Sequence, residues 1–426
     1  MPMKRILCLL CTLGILTTAT ARSFEQTFCD STLRLDYTFC GNNRQQQIYL
    51  DGLSSTPGWY GRHVNLDRLL LQGNGQITMT DTLGRDTLYR HSFSTLFQEW
   101  QTTEEATRLH RSFENVFLVP MPRQSVDITV SLTDTHNRVL SSFTHRVSPT
   151  DSLIRRPQTH SPWEYLQQEG DSRDCIDVTF VPEGYTSGEM DQFRRDCQES
   201  IQSLLSHEPF ASQHHKFNFV AVNTPSPESG ASIPYQGIWR NTLLGCHFHT
   251  FYSHRYLTTP YVKRLHDVLS GVPCEQIIIL VNTDNYGGGG IYNSYVTSSA
   301  RNPKSRPVLV HEFGHHFGGL GDEYYYDDQY ETNYPSDTEP WEPNLTTLVD
   351  FRSKWRDMLP DGTPVPTPAD GTDPYTRVGV YEGGGYQSHG IYRPSQDCRM
   401  KTNTAPRFCP VCTRALDRMI LYYTQE

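Results

Sequence analysis

His311 and His315 stand four residues apart with Glu312 between them, and this spacing constrains the chain more than any other feature. On a helix, residues at i and i+4 lie one above the other on one face. Pro307-Val308-Leu309-Val310 gives such a helix an apolar entry. Gly318, three residues after the second histidine, is expected to end it with a left-handed residue. The chain then turns back and brings Asp322 toward the histidines, with Glu323 in reserve as the third ligand. Two imidazoles and a carboxylate are a donor set for one zinc ion with a position left open. Glu312 is placed to take a proton from a water held there. The expected roles are therefore His311, His315 and Asp322 as metal ligands and Glu312 as general base. His316 points one residue-step round the helix and is expected in the core or behind the ligands.

The N-terminus speaks to compartment. Lys4 and Arg5 precede an apolar run from Ile6 to Leu16, and Ala19-Thr20-Ala21 offers small residues for cleavage. This is the layout of a secretory signal over 1–21, too short to span a bilayer. The mature protein is expected to be secreted, extracellular or periplasmic, with no stable membrane insertion. A net charge of -10 argues against a nucleic-acid partner, which calls for clustered basic residues. Of 11 cysteines, Cys8 and Cys11 leave with the signal. The odd remainder leaves at least one thiol free or paired with another chain, and is no disulfide scaffold.

Two regions differ in hydrophobic period. Over 24–150 the period is two, broken by turns: in Asp127–Thr133, Ile128, Val130 and Leu132 face one way. Similar runs at 33–39, 46–50, 76–80, 87–93, 115–119 and 139–147 indicate an antiparallel β-sandwich, whose job is support or substrate presentation. A polar, proline-bearing linker is expected over 151–165. From 166 to 426 strands alternate with helices: a strand at 177–181, a helix from an N-cap at Ser187 to about Leu205, a strand at 216–223, a helix at 261–269 and an apolar strand at 276–281. That order indicates an α/β or α+β catalytic domain.

Other features are weaker. The run Gly287–Gly290 lacks a following Gly-Lys-Ser/Thr, so it is no phosphate cradle. It reads either as a cleft-rim strand approached by an extended peptide or as a flexible loop. Cys409 and Cys412 form a Cys-x-x-Cys pair with no second such pair to complete a structural zinc site. Both are expected as structural cysteines, with Cys398 bonding to them. His247 and His249 would face opposite sides of a strand and make no metal pair. The acidic tract 322–330 has no EF-hand spacing and reads as a solvated loop rather than a calcium site. Asn344-Leu345-Thr346 matches a glycosylation acceptor.

The extended pattern His-Glu-x-x-His-x-x-Gly-x-x-x-Asp-Glu over 311–323 resembles that of the IgA-peptidase family of zinc metallopeptidases. Tyr286–Gly290, Tyr392-Arg393-Pro394, Cys398-Arg399-Met400 and Phe408–Cys412 resemble the family too. The likeness covers most of the mature chain and is strongest over 276–412. It implies a β-sandwich followed by a metzincin-like zincin domain, one catalytic Zn2+, and a secreted endopeptidase acting on a protein or glycoprotein such as immunoglobulin A or a mucin. It also implies ligands at His311, His315 and Asp322 and a base at Glu312. General metzincins place the third ligand three residues after the glycine, where this chain has Gly321, and the acid comes one later. Met400 resembles the methionine of the turn that floors a metzincin site, a support rather than a ligand. An alternative reading is a surface-interaction protein that retains the zincin domain without turnover, against which the intact Glu312 argues. A third keeps the zinc but changes the reaction, to deacylation or removal of a terminal residue.

Overall fold

The computed structural model describes residues 23–157, 160–326 and 334–425. The expected signal segment, 1–21, and part of the acidic tract, 327–330, lie outside the described residues.

The first region is built almost entirely of antiparallel strands. A short helix α1 (Phe24–Thr27) leads into β1 (Phe28–Gly41), followed by β2 (Gln46–Pro57), β3 (Gly75–Asp81) and β4 (Thr87–Phe93). Helix α2 (Leu96–Gln101) intervenes before β5 (Arg111–Pro122), β6 (Val126–Thr133) and β7 (Val139–Val147). One sheet has the order β2-β1-β5 and the other β4-β3-β6-β7. Alternation sets which face is dry: in β6, Val126, Ile128, Val130 and Leu132 are buried, and the residues between them are half-exposed. They join Leu33, Leu35, Tyr37 and Phe39 of β1 and Ile77 and Met79 of β3 in one core shared by both sheets.

The second region is an α/β domain around a six-stranded sheet of order β12-β13-β11-β9-β10-β8. Its strands are β8 (Trp163–Gln167), β9 (Ile176–Glu183), β10 (Phe217–Val222), β11 (Gln276–Val281), β12 (Gly288–Ile291) and β13 (Tyr295–Ser299). The central pairs β10–β9, β9–β11 and β11–β13 are parallel, and β8 and β12 are antiparallel edges. β9, β10 and β11 are buried along their whole lengths, as parallel strands covered on both faces require. β8 begins inside the stretch expected to be linker: Trp163 pairs with Val222, a short edge contribution that the flanking prolines and polar residues hid.

Helices α3 (Met190–Leu205), α4 (Val262–Val268), α5 (Ser305–Gly318) and α6 (Pro410–Thr424) cover the sheet, and a hairpin β14 (Tyr381–Gly384) and β15 (Gln387–Arg393) follows α5 in the chain. Ser187 is not a cap: it opens a 3-10 turn, Ser187–Glu189, that leads into α3 and is itself capped by Thr186. The Thr186 backbone N–H and hydroxyl both reach the Glu189 carboxylate, at 2.9 and 2.7 Å, closing a capping box one residue earlier than expected.

α5 is buried on nearly every side, because it lies on β12 and β13 and is flanked by α3 and α6. Phe313 and Phe317 stack 5.4 Å apart and meet Phe210 at 5.5 and 6.0 Å. Truncating such a ring costs about 3–5 kcal/mol. The helix ends one residue later than expected. Gly318 is its last helical residue, and Gly319 takes the left-handed conformation, with φ 57°. Gly318 has a different reason to be glycine: a Cβ there would stand 2.6 Å from Leu416 of α6. Among the described residues no helix is long and apolar enough to cross a membrane.

Candidate metal centre and cleft

α5 directs His311 and His315 to one side, and the chain after Gly319 returns to bring Asp322 opposite them. The His311 and His315 Nε2 atoms are 3.0 Å apart, and Asp322 Oδ1 lies 3.1 and 3.2 Å from them. The other ring nitrogens are already engaged. His311 Nδ1 donates to the Arg399 carbonyl at 2.9 Å, and His315 Nδ1 to the Leu320 carbonyl at 2.5 Å. A carbonyl only accepts, so each Nδ1 carries a proton, and Nε2 is the atom of each ring that can offer a lone pair to a cation once the cation has displaced any proton there. Three acceptor atoms thus converge on one point. Burial opposes a charge on His315, yet the Asp322 carboxylate overrides it and lifts the imidazole to about 9. That negative field is also what a cation would meet. Donors on a tetrahedral zinc at 2.0–2.1 Å lie about 3.3 Å apart, so the triangle fits the ion.

Asp322 is held from several directions, none of which the motif discloses. Asn344, wholly buried, accepts from the Gly321 N–H at 2.7 Å and donates to the Gly321 carbonyl at 2.9 Å. The Gly385 N–H bonds the Asp322 carbonyl at 2.7 Å, the Tyr386 hydroxyl donates to Asp322 Oδ2, and the Glu323 N–H bonds the Met400 carbonyl at 2.8 Å. Asn344, the residue of the glycosylation-acceptor pattern, is therefore inside, its amide bonded to the turn that carries Asp322. Glu323, the reserve ligand, is not brought to the histidines. Its carboxylate turns the other way, with Oε1 3.0 Å from Cys412 Sγ.

The segment around Met400 lies beneath the helix. Arg399 supplies the carbonyl that orients His311, and a Cβ on Gly314 would stand 2.7 Å from Met400 Sδ. His316 is buried away from the triangle. Its Nδ1 donates to the Ile291 carbonyl at 2.9 Å, which ties α5 to the end of β12.

The glycine run forms strand β12, not a loop, and its missing side chains serve α5. A Cβ on Gly290 would stand 2.2 Å from the Glu312 carbonyl oxygen, and one on Gly288 2.9 Å from Val308. The outer side of Gly288 is already taken, its N–H by the Arg255 carbonyl at 3.2 Å and its carbonyl by the Leu257 N–H at 3.3 Å.

Glu312 faces a cleft of about 1200 Å³ whose walls come from both regions, including Asn43, Glu99 and Leu140 on one side and Gly288, Tyr324 and Trp341 on the other. Burial raises the Glu312 carboxyl, and the charges of His311 and His315 oppose that rise. Glu99 arrives on α2 and hydrogen-bonds the Tyr256 hydroxyl. Burial lifts it to about 7, partly offset by that bond. Arg255 reaches in from a loop, 5.6 Å over the Tyr324 ring and 3.3 Å from the Tyr324 and Tyr326 hydroxyls. Glu99, Arg255, Tyr324 and Tyr386 carry no sequence motif, and only the fold assembles them. His247 and His249 belong to no group of three or more metal-donor side chains among the described residues.

Comparison with known proteins agrees with this architecture. A family model described as IgA Peptidase M64 matches residues 165–377 and 370–420, and one described as Peptidase M64 N-terminus matches 23–144. The chain is accordingly a metallopeptidase with a protein substrate, made of an N-terminal antiparallel β-rich region and an α/β catalytic domain. It belongs to the IgA peptidase M64 family. No curated protein matches it.

Proposed function

We propose that the protein is a secreted zinc endopeptidase on a metzincin-like zincin fold, with His311, His315 and Asp322 as the metal ligands and Glu312 as the general base. The observation that carries this reading is the convergence of three acceptor atoms at 3.0–3.2 Å, with both Nδ1 protons committed to carbonyls. Zinc bound there supplies Lewis acidity toward the scissile carbonyl and lowers the pKa of a water. Glu312, next to the first ligand, would take a proton from the attacking water and hand it to the leaving amine. The Arg399 and Leu320 carbonyls keep both imidazoles in the ligating tautomer, and Tyr386 orients the Asp322 carboxylate. The cleft of about 1200 Å³ lined by both regions has room for a stretch of polypeptide, so the β-rich region acts in substrate presentation. Immunoglobulin A is the candidate substrate that the family description suggests, and mucin-like glycoproteins are a second candidate. The basic, apolar and small-residue order of the first 21 residues supports export.

The test is casein hydrolysis by the full mature chain with a chelator and after zinc is restored. Loss and recovery of cleavage are expected. Cleavage indifferent to chelation would overturn the zinc assignment, and bound zinc with no cleavage of casein, immunoglobulin A or mucin would favour the surface-interaction alternative.

A further inference from the structure

Beneath the cleft, on the far side of the Asp322–Glu323 peptide, lies a second group of donor side chains: Glu323, Cys398, Cys409 and Cys412. The three Sγ atoms and one Glu323 carboxylate oxygen all lie within 4.8 Å of one another. We propose that these four residues form a second, structural zinc site, with a Cys3Glu ligand set, distinct from the cleft site and independent of its assignment.

The geometry is that of a coordination sphere rather than a disulfide. Cys398 Sγ and Cys412 Sγ are 3.8 Å apart, whereas bonded sulfurs lie about 2.05 Å apart. With Zn–S near 2.3 Å, the edge of a tetrahedron is about 3.8 Å. All nine cysteines of the described residues are unbridged, and a disulfide within this trio would strand the third thiol beside a buried carboxylate. A zinc ion engages all four groups.

Burial defines the type of site. Glu323, Cys398, Cys409 and Cys412 are each 0% exposed, so no position is open to substrate, as in structural rather than catalytic zinc sites. Glu323 is the most telling member. A carboxylate in such a place is costly unless compensated. Asn344 donates to Oε1 at 3.0 Å, while Oε2 is buried with no hydrogen-bond partner.

The surroundings suit thiolates. The Cys409 N–H points at Cys398 Sγ at 3.2 Å, and the Cys412 N–H at Cys409 Sγ at 3.5 Å. Cys409 is the N-cap of α6, where the helix dipole favours negative charge. Three thiolates and a carboxylate around a divalent cation leave a net charge of about −2. Arg393, Arg399 and Lys401 lie close enough to act electrostatically on Glu323 or Cys398. Binding sends the thiol protons to solvent and changes no oxidation state.

The ion would join three segments that the cleft depends on. Glu323 is bonded in sequence to Asp322. Cys398 directly precedes Arg399, whose carbonyl orients His311, and Met400, which packs on Gly314. The Cys-x-x-Cys pair ties both to α6. A second Cys-x-x-Cys pair is unnecessary because a return loop and a distant turn supply the other two ligands.

The experiment is metal analysis of the full-length mature protein, with a double variant His311→Ala/His315→Ala that disables the cleft site. Two zinc ions per wild-type chain and one in the double variant are expected. Cobalt loaded into the double variant should show a thiolate-to-cobalt charge-transfer band, lost on adding Cys409→Ser/Cys412→Ser. If the cleft reading fails and this one holds, wild type and double variant each carry one ion with that thiolate signature. A metal-free double variant would overturn the proposal. So would a disulfide among Cys398, Cys409 and Cys412 in peptide maps of unreduced protein. Undiminished zinc retention by Glu323→Gln against a chelator would overturn the four-ligand set.

Discussion

Asp322 and Glu323 are neighbours in sequence, yet their carboxylates belong to opposite worlds. Asp322 meets two imidazoles at the floor of an open cleft. Glu323 meets three sulfurs in a sealed interior. The difference shows how one turn can serve chemistry and architecture together. A catalytic zinc site needs three protein donors and a vacant approach, whereas a fastening needs a closed shell. The alternation of one residue suffices because the turn is pinned on both sides, by Asn344 at Gly321 and by the Met400 carbonyl at Glu323.

That contrast can be broken most severely at Asp322. Asp322→Ala removes one of three cleft donors and should strip metal from the cleft, with cleavage lost, while the cysteine group is untouched. Glu323→Ala should leave the cleft metal in place, read as retained hydrolysis; hydrolysis lost in Glu323→Ala and kept in Asp322→Ala would exchange the roles of the two acids. Tyr386→Phe removes only the hydroxyl that orients Asp322. Removing such a support typically costs roughly 10–100-fold in metal affinity or activity, and competition with a graded chelator measures it. Unchanged affinity would mean that the peptide bonds of the turn suffice. Asn344→Ala touches both sides, since this amide bonds Gly321 and Glu323. Leaving those buried groups unpaired should cost about 1–3 kcal/mol each at most, read as a lower thermal midpoint, and a glycosylated, fully folded Asn344 would contradict its buried position.

Much of this arrangement was readable from the sequence, for identifiable reasons. The 311–315 spacing works through helical periodicity, a local rule, and the alternation of 127–133 works through the pleat, so both regions emerge from short windows. The boundary details went astray where tertiary packing decides. Gly318 was expected to be the left-handed residue, but it is glycine because Leu416 of α6 presses on it, and Gly319 makes the turn. The glycine run gave two readings because local sequence does not reveal that α5 lies against it. The deeper omissions are all long-range. Asn344 bears a glycosylation pattern that says nothing of Gly321. Tyr386 is an ordinary tyrosine until the β14–β15 hairpin sets it against Asp322. Cys398 and Glu323 stand far in sequence from the Cys-x-x-Cys pair they meet. Glu99 belongs to a region that has no motif of its own. The choice between Asp322 and Glu323 is framed by sequence in terms the geometry can address, and the geometry separates them by direction.

The central claim is that Glu312 serves a metal held by its neighbours. It is tested most directly by purified Glu312→Gln, with zinc content and hydrolysis of a protein substrate measured on the same sample. The account predicts wild-type zinc content with hydrolysis reduced roughly 10²–10⁴-fold, the usual worth of a positioned general base. Undiminished hydrolysis at full zinc content would contradict it.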